Sequence, residues 1–143
     1  MGASTMSIKR LTVGTIVGGI VLFALGYLIW DYLFVSFFAA NQNPAAAALT
    51  REPLLFWAVT LGALSYALLI ALGLEGRTAG ATIVDGLKVG AIVGFLIWFT
   101  SDFTLYGIRD TGTLIATIVD PLLEGIRGAI AGAAIVASRR ISG

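Results

Sequence analysis

Long charge-free runs alternate with short polar turns along this chain, and that alternation sets its expected architecture. Residues 11–30 carry no charged side chain, enough to cross ~30 Å of hydrocarbon at ~1.5 Å per residue. The apolar pattern continues past Asp31 to residue 38. Asn41, Gln42, Asn43 and Pro44 end it, residues 45–49 suit a short interfacial turn, and Arg51, Glu52 and Pro53 close the loop. Pro53 fits the first position of the next helix. Residues 54–74 form a second charge-free run, and residues 73–81, with Glu75, Arg77 and several glycines, read as a turn. A third span covers 86–106, with Asp85 and Lys88 flanking its start and Asp102 in its outer part. After a solvated loop with Arg109 and Asp110, residues 113–137 make a fourth span, interrupted by Asp120, Glu124 and Arg127.

Short connections between long apolar segments favour antiparallel neighbours. The expected fold is therefore all-α: an integral membrane up-down four-helix bundle, one transmembrane domain over residues 1–143 with spans 11–38, 54–74, 86–106 and 113–137. A cleaved signal peptide is the alternative for the first run, but the apolar sequence beyond Ala24 favours a retained helix. Lys9, Arg10, Arg77, Lys88, Arg139 and Arg140 fall at one end of this arrangement, against Arg51 and Arg109 at the other. The positive-inside rule then puts the N- and C-termini in the cytoplasm. Residues 13–18 and 89–94 share a Gly-rich string, and Leu28 to Trp30 matches Leu96 to Trp98. A duplicated hairpin and chance echoes of apolar composition both account for this.

Composition narrows the chemistry. Of 143 residues, 58% are hydrophobic and 12% charged, where soluble domains carry about 25% charged residues. Mean hydropathy is +0.96. A net charge of +1 without a basic run argues against nucleic acid as a partner. With no Cys and no His, disulfides, thiolate chemistry and imidazole ligation are excluded. No phosphate loop or nucleophile motif occurs, so neither cofactor nor resident metal is expected. The expected surroundings are a lipid bilayer, with a homo-oligomer where transport is the task.

Charges inside an apolar span are costly and mark pairing or function. Steps of four and three residues put Asp120, Glu124 and Arg127 on one face of the fourth helix. Helix rise places Asp31 near the outer boundary, Asp102 ~24 Å up its helix and Asp120 ~10 Å down from outside, with Arg127 near the middle. One reading is an outward-open polar cavity whose carboxylates hold a proton, a cation or a small solute. Another is structural: Glu124 and Arg127 neutralise one another, and Asp102 or Asp120 completes a network that locks the helices. Pro121 removes a backbone donor beside this cluster. Gly125, Ala129 and Ala133, with Gly128 and Gly132, form small-residue seams for close helix approach. The Trp and Tyr residues read mainly as interfacial anchors, with Trp98 close enough in sequence to Asp102 to line the site.

Several short motifs resemble a family of small bacterial four-helix inner-membrane proteins catalogued only as a domain of unknown function. They are Trp30-Asp31-Tyr32, the aromatic start from Leu54 to Trp57, Asp102-Phe103-Thr104, Thr113-Leu114 and Val119-Asp120. The resemblance spans nearly the whole chain and implies a four-helix fold and an inner-membrane location, without an activity. Asp120 is followed by Pro-Leu-Leu-Glu-Gly in place of that family's aromatic-Gly pattern, which leaves Glu124 and Arg127 outside what the resemblance covers.

The residues expected to matter are thus Asp102, Asp120, Glu124, Arg127 and Asp31. Three functions compete: transport or sensing of a proton, cation or small solute; a non-catalytic membrane subunit whose charges only pair; and a carboxylate-dependent enzyme acting on a lipid or isoprenoid.

Overall fold

A computed structural model describes residues 7–77 and 80–141. The polar opening stretch through residue 6, residues 78–79 of the turn expected at 73–81, and the last two residues lie outside the described residues. The first helix, α1 (Ile8–Gly26), begins where the Ser7 hydroxyl accepts from the Arg10 amide at 3.4 Å. It continues into a wide-turn π-helical segment, Tyr27–Leu33, before Phe34 ends it at φ −113°, ψ 11°. A separate helix, α2 (Val35–Asn41), follows. The run expected as one span over 11–38 is therefore two helical pieces with a break at Phe34.

Asn43 caps the short α3 (Pro44–Ala47), its side chain accepting from the Ala45 amide at 2.9 Å. α4 covers Phe56–Glu75. Pro53 lies outside it, so the expected helix start at that proline is corrected to Phe56. α5 (Ile83–Ile108) starts three residues before the expected position. Thr82 and Asp85 form a reciprocal capping box there, which satisfies two otherwise orphaned amides. α6 covers Leu114–Ile141 and carries Pro121 in its interior. No strand forms among the described residues; Gln42 and Gly112 make an isolated bridge.

Three helical segments are long and apolar enough to cross a membrane: Ile8–Leu33, Phe56–Glu75 and Ile83–Ile108. α6 was expected as a fourth and is not among them. Its 28 residues divide by face. Ile115, Ile118, Leu122, Ile126 and Ile130 point outward, each between 44% and 57% exposed. Glu124, Gly128, Ala131, Gly132, Ile135 and Val136 are buried against the other helices. The spacing of the outward residues, three or four apart, is that of one apolar stripe on a helix.

α6 touches all three other long helices, most extensively α5, while α1 lies mainly between α4 and α6. Leu22 of α1 faces Arg127 of α6, and Trp30 faces Asp120, so those two helices run in opposite directions. The core they enclose includes Leu22, Ala67, Ile70, Leu74, Ile135 and Val136. Along the α5–α6 seam the backbones themselves meet: a Cβ at Gly90 would collide with the Gly128 carbonyl, and one at Gly86 with the Gly132 carbonyl. Glycine is required here because nothing larger leaves room for the opposing backbone.

At the end remote from the termini, the two loops clasp one another. The Thr113 hydroxyl donates to Asn41 Oδ1 at 2.7 Å, and the Thr113 amide donates to the Asn41 carbonyl at 3.0 Å. The Asn43 amide donates to the Thr111 carbonyl at 3.0 Å, and its side chain to Asp110 at 3.0 Å.

Candidate functional site

The charges on α6 divide into two unlike halves. In the inner half, Arg127 Nη1 donates to Glu124 Oε1 at 2.9 Å, with the side chains only 11% and 3% exposed. Arg127 Nε and Nη2 both donate to the Leu22 carbonyl of α1, at 2.8 and 2.5 Å. The guanidinium lies 5.3 Å from the Trp30 ring centroid and 5.7 Å from that of Tyr66. Tyr66 in turn donates its hydroxyl to the Glu124 carbonyl at 3.0 Å. Gly26 makes room for this cation, since a Cβ there would stand 2.8 Å from Arg127 Nη2. A buried ion pair is tolerable where its donors are satisfied: Arg127 bonds Glu124 and α1 and lies against the Tyr66 ring of α4, while Glu124 Oε2 is buried without a partner. The Arg127 side chain is fixed from several directions.

The outer half is open. Trp30 Nε1 donates to Asp120 Oδ1 at 2.6 Å. Both residues line a cavity of about 320 Å³ with Asp102, Asn41, Gln42, Thr113 and Thr117. α5 brings the Asp102 side chain into the same cavity as Asp120. Ionised carboxylates only accept, so two of them in one cavity call for a donor from what the cavity binds. Asp102 Oδ2 is buried and receives no bond from a protein donor. Pro121 contributes as well: its missing N–H leaves the Thr117 carbonyl without its usual helical donor, on a residue that lines the cavity.

Of the five residues singled out from sequence, the structure brings four together: Glu124 with Arg127, and Asp120 with Asp102. Asp31 is corrected. It is exposed and does not line the cavity; its neighbour Trp30 turns inward instead. Trp98, expected near Asp102, lines a different cavity with Tyr66 and Arg127, and its Nε1 is buried without a partner. The matched Leu-Ile-Trp strings therefore end in tryptophans with unlike surroundings.

Trp30 and Tyr66 were missed as partners of the charges because aromatics in apolar runs suit lipid anchoring equally well. The signal for Tyr66 was its hydroxyl at mid-span, where a polar tip needs an acceptor.

No group of three or more metal-ligating acids gathers among the described residues. The outer cavity offers two adjacent carboxyls, an indole donor and neutral hydroxyl and amide groups. That set suits a proton, or a small cation or solute with hydrogen-bond donors. No family model, curated protein or solved structure matches this chain.

Proposed function

We propose that this protein is a multi-pass membrane protein of the bacterial inner membrane, a four-helix bundle with both termini cytoplasmic. Its outer cavity binds a proton or a small cationic solute at Asp102 and Asp120. The membrane reading is supported by three apolar segments of spanning length and by the outward Ile/Leu stripe of α6, which would let that helix meet lipid while its charges face inward. Lys and Arg enrichment at the end with the termini supports the orientation. The bacterial assignment follows the resemblance drawn from the short motifs.

One observation carries the binding reading: two carboxyls meet in an open cavity, and one buried oxygen lacks any protein donor. Beneath the cavity, outside its lining, the Arg127 cation is held fast. A single chain is then better suited to binding or sensing than to conduction, and transport calls for a homo-oligomer. The inner half of the cluster favours a second role for its own residues, because Arg127 spends its donors on Glu124 and on the Leu22 carbonyl of α1. There the charges tie helices together.

The test uses Asp102→Asn and Asp120→Asn in reconstituted liposomes, with proton and monovalent-cation flux and equilibrium binding measured at several pH values. Both variants are expected to fold and to lose pH-dependent binding or flux. Wild-type protein that binds and moves nothing, with both variants behaving identically, would sink the reading and leave the structural role.

A further inference from the structure

A second cavity of about 320 Å³ lies at the opposite end, between the start of α1, the α4–α5 turn and the end of α6. Its charged lining is Arg10, Arg77, Arg139 and Arg140, with no carboxylate among the lining residues. Two of these arginines have acidic partners behind the wall. Arg77 Nη1 bonds Asp85 at 2.8 Å, and Arg139 Nη2 bonds Glu75 at 2.7 Å and the Ala71 carbonyl at 3.1 Å. The side chains of Arg10 and Arg140 make no hydrogen bond or ion pair with another described residue. Arg10 also stands close enough to Arg139 for their charges to repel. Four cations around one hollow, two of them without an acidic partner among the described residues, give a site whose field favours an anion.

Guanidinium groups match phosphate oxygens in a planar, two-pronged geometry. Arg139, 10% exposed and held by Glu75, supplies a fixed floor, and Arg10 and Arg140 are left to close over the ligand. Large apolar side chains are exposed at this end of the helices: Ile8, Val84 and Ile141 are 77%, 54% and 88% exposed. Such side chains would lie against acyl chains where the phosphate belongs to a lipid. Basic pockets between helices at a membrane surface are a known form of headgroup recognition.

We infer that this arginine-lined cavity binds a phosphate group, gripped by Arg10 and Arg140 over Arg139. The site is separate from the acidic cavity, and only its lipid form rests on the membrane reading. The test follows the melting temperature of the full chain in detergent while inorganic phosphate, or separately phosphatidylglycerol, is titrated in. One or both should raise the melting temperature of the wild type. The Arg10→Gln/Arg140→Gln double variant should weaken that response about tenfold or more in affinity, the scale of one lost charge-assisted contact. Lys88→Gln, which removes an exposed cation outside the cavity lining, should respond as the wild type does. Arg140→Gln alone serves if the double variant does not fold. A response to inorganic phosphate identifies a soluble phosphate ligand, and a response to phosphatidylglycerol alone identifies a lipid headgroup. The inference is overturned if neither ligand acts, if the arginine variants respond like wild type, or if Lys88→Gln loses the response equally.

Discussion

Trp30 and Asp120 stand 90 positions apart and share a 2.6 Å hydrogen bond. The same indole ring lies 5.3 Å from the Arg127 guanidinium. One side chain thus borders both halves of the cluster, donating to the open acidic cavity and stacking on the locked cation. Trp30→Phe keeps a ring for Arg127 and deletes the donor. The expected cost is about 1 kcal/mol, the scale of a hydrogen bond between membrane helices. Trp30→Leu removes the ring's attraction for the cation too and should cost up to about 2 kcal/mol more. Thermal unfolding of the two variants in the same detergent checks the order.

Arg127 presents a sharper contrast. Glu124 is 2% exposed, so Arg127→Met strands a buried carboxylate and cuts the tie to the Leu22 carbonyl. A loss of about 3–5 kcal/mol is expected, as for other buried pairs broken from one side. Glu124→Gln/Arg127→Met removes both charges and should recover much of that loss. A double variant as unstable as the single one would mean that the Leu22 tie, not the ion pair, holds this region.

Two glycines contrast the close packing of α5 with the open face of α4. Gly90→Ala drives a methyl group into the Gly128 backbone, where the obstacle is main chain and cannot rotate away, so α5 and α6 must separate. Gly62 of α4 has nothing within 4 Å of an added Cβ, and Gly62→Ala should gain about 0.5–1 kcal/mol from helix propensity alone. Opposite shifts in melting temperature are the expected result.

The coarse architecture was legible because long helices need long apolar runs, and those of α4 and α5 stand out between charged turns. The i,i+3 spacing of Glu124 and Arg127 likewise announced their pairing. What could not be read was the wide-turn segment Tyr27–Leu33. Each π turn takes in one more residue than an α turn, so the face pointing inward drifts along it. An α-helical extrapolation cannot say whether Trp30 or Asp31 meets α6. Asp31 looked like the candidate because charge is scarce in such runs, yet the neighbouring indole makes the contact. The α4–α6 and α5–α6 contacts at Tyr66 and Asp102 were hidden for a different reason, since they depend on which helices become neighbours.

The chain has no cysteine, so single introduced thiols report on both the cavity and the orientation. Thr117 lines the outer cavity and loses one hydroxyl bond to the Thr113 carbonyl on replacement by cysteine. Gly76 lies in the α4–α5 turn at the other end, exposed, with open space around an added Cβ. Ala71 is fully buried between them. A membrane-impermeant maleimide applied to right-side-out vesicles should label Thr117→Cys and spare Gly76→Cys, and inverted vesicles should reverse the result. Ala71→Cys should resist in both. Labelling of Thr117→Cys and Gly76→Cys from one side only would mean that the two cavities open to the same compartment, and the helices would then lie on the membrane rather than through it.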